Sequence, residues 1–147
     1  MEYFKNGYMK RVRANILSLS ICQNLLEAFD EWYFTGHVVD HEDAVEMCEL
    51  CNQEELRYHF KIANRENYNS LMVGYRCILK FNVAVYEKGV RLSPDDTKKK
   101  LDSLINSMRF DSCINALQKT TKTEEFLIRL CRVEIVELKG SLGHFVS

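Results

Sequence analysis

The chain has 147 residues, 46% hydrophobic and 28% charged, a length and balance suited to one soluble domain or one core with a helical appendage. Lys and Arg number 20 against 21 Asp and Glu, for a net charge of -1. That near-neutrality argues against a general nucleic-acid binder, which carries a basic face, and against an acidic mimic of DNA, which needs a large negative excess.

No apolar run approaches the roughly 20 residues of a membrane span. The opening Met1-Glu-Tyr-Phe-Lys-Asn-Gly lacks the basic-then-apolar order of a signal peptide. The six cysteines are therefore expected to be reduced thiols, serving as ligands or core residues, with no disulfide at Cys22, Cys113 or Cys131.

Met9 to Phe34 has the spacing of a long amphipathic helix, with Val12, Ile16, Leu19, Cys22, Leu26, Phe29 and Tyr33 on one face. Lys10, Arg11 and Arg13 stand near its start, where positive charge opposes the helix dipole, and are expected to be a solvated helix end. Gly36 is expected to end this helix, closing an N-terminal segment of residues 1–36, and His37-Val38-Val39-Asp40 leads into the next as a short strand.

Residues 37–92 form the candidate metal module. Cys48-Glu-Leu-Cys51 is a tight turn that can aim two sulfurs at one ion. The strand 56–62 alternates, with Tyr58, Phe60 and Ile62 on one face and Arg57, His59 and Lys61 on the other. A polar turn from Asn64 to Asn69 returns the chain through a second strand at 71–74, and Gly74-Tyr-Arg-Cys77 opens a helix. Knuckle, hairpin, then helix is the order of a treble clef. In that arrangement a second Cys-x-x-Cys sits at the helix start, and here Gly74 occupies its first position. Val83–Tyr86 and Val90–Leu92 flank Glu87-Lys88-Gly89 as a second small hairpin.

Residues 93–147 are helical. Ser93-Pro94-Asp95-Asp96 combines a serine cap, a proline at the first helical position and carboxylates in the first turn. Leu101, Leu104, Ile105 and Met108 give the buried face. Thr121-Lys-Thr-Glu124 starts a last helix that Gly140 closes. The fold class is thus α+β: a treble-clef-like zinc hairpin packed among three longer α-helices, in one domain spanning 1–147.

Three thiolates select Zn²⁺ over Mg²⁺ or Ca²⁺ because soft ligands suit the softer cation. Cys48, Cys51 and Cys77 are the expected ligands. His59, on the strand leaving the knuckle, is the first candidate for a fourth, and His41 the second. Cys22, Cys113 or Cys131 could serve only if a helix docks at the site. No His-x-Glu, phosphate-binding loop, Gly-x-Ser-x-Gly or His-Glu-x-x-His is present, so enzymatic activity is not expected.

From His41 to Phe81 the chain resembles a small module common in proteins of bacteriophages and prophages. The module runs Cys-x-Leu-Cys-Gly, then Ile-x-Tyr-x-Phe-x-Ile-x-Asn, then Val-Gly-Ser-x-Cys-Ile. The match falls at Cys48, Leu50, Cys51, Tyr58, Phe60, Ile62, Asn64, Val73, Gly74, Cys77 and Ile78. Asn52 and Tyr75 depart from it, standing where the module usually has Gly and Ser. In size, cysteine use and this module the chain also looks like the small anti-CRISPR proteins of streptococcal phages and prophages. That resemblance implies a non-catalytic inhibitor in the cytoplasm of a bacterial host. Its partner would be a protein lobe of the type II CRISPR-Cas effector nuclease, without direct nucleic-acid binding. The competing expectation is a phage zinc protein accessory to nucleic-acid processes, with Arg57, Lys61, Arg65, Arg76 and Lys80 on phosphates.

Overall fold

A computed structural model describes residues 2–119. The chain falls into two compact units, Met1–Leu101 and Asp102–Ser147. The first holds the sheet, the hairpins and the cysteine module. Among the described residues the architecture is mixed α and β, with helices beside small antiparallel sheets.

Helix α1 spans Glu2–Leu17, so the long helix expected over Met9–Phe34 does not form. Two serines break it. Ser18 Oγ donates to the Asn15 carbonyl at 3.2 Å and Ser20 Oγ to that of Ile16 at 2.7 Å, so the side chains take over groups that a continuing helix would use. Asn24 then caps a short helix α2, Leu25–Phe29, its Oδ1 accepting from the amides of Leu26 and Glu27.

The aromatic run that follows is a strand, β1, Trp32–Asp40, because β-branched and aromatic residues pack well on a pleated surface. Trp32 and Phe34 are buried, and Trp32 Nε1 donates to Ser20 Oγ at 2.8 Å. Gly36 does not end a helix but sits inside β1 at φ +90°. There the pairing register shifts between Phe34 and Val38, a bulge that a glycine admits without Cβ strain.

Strand β2, Tyr58–Asn64, is central in the order β1-β2-β3, and β3 is Ser70–Val73. Both pairings are antiparallel, with Trp32 opposite Asn64 and Phe60 opposite Val73. The hairpin expected from the sequence is therefore present and gains a third strand. Its turn is tied to the end of α1, since Asn67 Nδ2 and Asn69 Nδ2 both donate to the Leu19 carbonyl, at 2.9 and 3.1 Å.

Helix α3, Tyr75–Lys80, follows directly. Strands β4, Tyr86–Glu87, and β5, Val90–Arg91, form the second hairpin across Lys88 and Gly89, both at positive φ. Helix α4 runs unbroken from Pro94 to Lys119, through the Phe110–Ser112 stretch. Ser93 Oγ accepts from the Asp96 amide at 3.2 Å, the cap its sequence promised. The last helix expected from Thr121 lies outside the described residues, as does Cys131. Trp32, Phe60, Ile16, Leu50, Ile62, Ile78 and Leu101 are among the fully buried side chains of the first unit. Among the described residues no helix is long and apolar enough to cross a membrane.

Candidate metal centre

The Cys48–Cys51 turn is the tip of a small loop closed by the Glu46–Leu56 bridge, whose two amide–carbonyl bonds measure 3.0 and 2.8 Å. Inside it the Cys48 amide donates to the Gln53 carbonyl at 2.9 Å and the Asn52 amide to that of Cys48 at 2.9 Å. Asn52 takes φ +65° to close the turn. Asparagine is a side chain that tolerates the left-handed region well. Leu50 points inward and is fully buried. Glu49 fastens the turn to β3: its amide donates to the Met72 carbonyl at 2.9 Å, and its Oε1 accepts from the Met72 amide at 2.6 Å.

β3 ends at Val73, and Gly74 caps α3 in extended conformation. Its amide donates to Cys48 Sγ at 3.3 Å. A Cβ on Gly74 would stand 3.1 Å from Leu56 Cδ1, so the missing side chain lets the strand end lie against the knuckle. One turn later Cys77 is buried at the start of α3. The three sulfurs of Cys48, Cys51 and Cys77 all lie within 4.8 Å of one another, each on a buried residue, and Cys48 Sγ is 3.8 Å from Cys77 Sγ.

The thiols differ in charge preference. Either sulfur of the Cys48–Cys77 pair could hold the proton on distance alone. The Gly74 amide favours negative charge on Cys48, since an N–H stabilises a thiolate more than a neutral thiol sulfur. The hydrogen bond with Cys77, aided by this amide, draws the Cys48 thiol down to about 5. The same hydrogen bond, together with burial, pushes Cys77 up. Burial raises Cys51. Thiols that share protons this closely can exchange them for a cation, because a bound cation takes the place of the protons.

Helix α1 covers the knuckle, which its sequence did not announce. Tyr8 Oη lies 3.4 Å from Cys77 Sγ. Arg11 Nε donates to the Cys51 carbonyl at 3.1 Å, and Asn15 Nδ2 to that of Leu50 at 2.8 Å. Residues 8, 11 and 15 share a helix face beside the buried Val12 and Ile16. That spacing of hydrogen-bonding side chains along an apolar stripe was the signal available. Arg11 is thus not merely a solvated helix end. Burial and the Cys77 contact push the Tyr8 phenol upward, and Lys80 Nζ stands 3.8 Å from the centre of its ring.

His59 does not join the sulfurs. It is buried, its Nε2 sits 2.8 Å from the Met47 carbonyl, and its Nδ1 is 3.0 Å from His41 Nε2. The strand's polar face is covered by the loop entering the knuckle, so the imidazole is satisfied there. His41 is committed to the same pair and lies 3.9 Å from Glu46. Cys22 is half-buried, donating to Glu27 Oε2 at 3.2 Å, apart from the cluster. Cys113 is disulfide-bonded, which corrects the expectation that it is a free thiol. Compartment governs whether a cysteine pair stays reduced, whereas pairing itself depends on which side chains the fold brings together.

No family model matches the chain, and neither a curated protein nor a solved structure matches it.

Proposed function

We propose that this is a zinc-stabilised binding protein in which Cys48, Cys51 and Cys77 hold one Zn²⁺ in a treble-clef-like site, and that it acts through a presented surface without catalysis. The sulfur spacing carries the metal assignment. Two thiolates on one tetrahedral zinc, each at about 2.3 Å, stand about 3.8 Å apart, and Cys48 and Cys77 stand 3.8 Å apart. A soft, buried thiolate set at this spacing favours Zn²⁺ over oxygen-seeking cations. When bound, the ion neutralises thiolate charge in the interior and adds its binding energy to folding.

The partner is a protein lobe of a type II CRISPR-Cas effector nuclease, whose target loading or activation the bound protein blocks; these are separable steps. This rests on the sequence resemblance. It is supported by Val45 and Met47, which are 70% and 46% exposed on the loop entering the knuckle, where a protein contact could cover them. Several cations of the competing nucleic-acid reading are already engaged. Arg57 forks onto Asp40 at 2.8 and 3.0 Å, Arg65 donates to Tyr86 Oη at 3.3 Å, and Lys80 sits over the Tyr8 ring.

The test is a DNA-cleavage assay with a rising ratio of this protein to the nuclease–guide complex, beside size-exclusion chromatography. Stoichiometric loss of cleavage, a co-eluting complex and unchanged nuclease mass are expected. Full cleavage at several-fold excess with no complex would overturn the partner assignment. Retention of plain DNA or RNA that weakens with salt would instead favour the nucleic-acid reading.

A further inference from the structure

The three cysteines leave one corner of a tetrahedron to be filled, and the side chains named for it by spacing are elsewhere. His59 and His41 are hydrogen-bonded to each other, and His59 also to the Met47 carbonyl. Gly74, at the position where a treble clef carries its other helix-start cysteine, has no side chain. What the fold brings against the sulfurs is an oxygen from a distant part of the chain: Tyr8 Oη, 3.4 Å from Cys77 Sγ.

We infer that Tyr8 is the fourth ligand of the metal site, making it a three-sulfur, one-oxygen centre closed by helix α1; this rests on the metal assignment above. The distance is the first argument. An oxygen at about 2.0 Å and a sulfur at about 2.3 Å from one tetrahedral zinc are about 3.5 Å apart, close to the spacing observed. The sulfur pair fits the same tetrahedron, at 3.8 Å. The two distances measured from Cys77 Sγ thus suit one ion.

The surroundings of Tyr8 are the second argument. Three thiolates and a phenolate exceed the charge of one divalent ion by two, and two cations serve the site, one over the ring and one at the knuckle backbone. Lys80 Nζ lies 3.8 Å from the ring centroid. Arg11, one turn further along α1, reaches the Cys51 carbonyl at 3.1 Å. The ring itself is held by stacking on Phe81, centroid to centroid 6.1 Å at an interplanar angle of 9°. Arg11 and Asn15 anchor the same helix face to the knuckle backbone, so the oxygen is fixed in place. On coordination the Tyr8 O–H bond breaks, the oxygen lone pair binds the cation, and the proton leaves to solvent. No electron is transferred.

The experiment uses the full chain, stripped of metal by a chelator and titrated with Zn²⁺ and with Co²⁺, as wild type and as Tyr8→Phe. Phe keeps the ring and its stacking, and circular dichroism of the reloaded variant checks that it folds. In the wild type, Zn²⁺ addition is expected to produce a tyrosinate ultraviolet difference band and to release one more proton than in Tyr8→Phe. The Co²⁺ ligand-field spectrum should shift between the two. Affinity should fall by more than about 100-fold in the variant, beyond the roughly 10–100-fold typical of losing a group that only hydrogen-bonds a ligand. Zn²⁺ binding to the wild type without a tyrosinate band, with equal proton release in both proteins, would overturn Tyr8 as a ligand and leave the three-cysteine site standing. Wild-type protein that takes up neither metal would overturn the metal assignment itself. The wild-type band is read without any variant, so a misfolded Tyr8→Phe cannot hide the answer.

Discussion

The amide of Gly74 points at Cys48 Sγ from 3.3 Å. Through that contact the end of strand β3 and the knuckle share one buried sulfur, although 26 positions separate the residues. The contact demands a close backbone approach, and Leu56 Cδ1 already fills the space where a Gly74 side chain would begin.

Gly74→Ala should therefore cost about 1–2 kcal/mol of stability through overpacking. Trimming the opposing side chain should relieve it: in the double variant Gly74→Ala/Leu56→Ala the two costs should fail to add, with a coupling of about 0.5 kcal/mol or more. Urea denaturation of the four proteins of the cycle measures this. Strict additivity would mean that Leu56 is not what excludes the Cβ.

Cys51→Ser should abolish stoichiometric metal retention and unfold the first unit cooperatively at lower temperature, because the binding energy of a structural site is folding energy. Cys22→Ser, apart from the cluster, should leave metal content unchanged and shift stability by less than about 1 kcal/mol. Elemental analysis with thermal denaturation reads both. Equal metal content in Cys51→Ser and wild type would remove Cys51 from the site.

Asn52 closes the knuckle at φ +65° and meets Asn15 Nδ2 through its side-chain oxygen at 3.3 Å. Asn52→Gly should be nearly neutral, since easier backbone geometry offsets one lost exposed hydrogen bond. Asn52→Val should cost about 1–2 kcal/mol, the penalty of a Cβ-bearing residue in the left-handed region, raised further by its β-branching. Chemical denaturation of the two variants separates backbone strain from the lost contact. A well-tolerated valine would place the turn in another conformation.

Glu31 binds three elements together: its carboxylate accepts from the amides of Ile21 and Cys22 and from Asn64 Nδ2, at 2.9, 2.8 and 2.9 Å. Burial alone would raise its pKa, but these hydrogen bonds outweigh it and hold the group below its ordinary value. A depressed folded pKa means that the unfolded chain takes up the proton first. Its stabilisation is thus complete above the unfolded value of about 4.3 and is lost as pH falls through the folded value. Denaturation midpoints between about pH 6 and pH 3 should decline less steeply in Glu31→Gln than in wild type. Parallel acid limbs would show that Glu31 is not a source of the decline.

Local backbone rules made much of the module legible. Cys48-x-x-Cys51, the β2–β3 hairpin, the Cys77 helix start, the Lys88-Gly89 turn and the Ser93 cap each depend on residues a few positions apart. Short-range geometry therefore settles them before any packing does. The stretch after Leu17 was not legible in the same way. Its apolar residues satisfy a helical period, yet Trp32 and Phe34 are buried as alternate residues of a strand. The choice between the two periods was made by the free edge of β2 and by the serines that ended α1. The candidate site divides along the same line. Three sulfurs follow from spacing, because a turn and a helix start carry them. The placement of His59 against Met47, and of Tyr8 against Cys77 across 69 positions, came only when the knuckle loop folded over β2 and α1 docked on the knuckle. Contacts at that separation are set by which surfaces bury one another, and a linear pattern does not encode them.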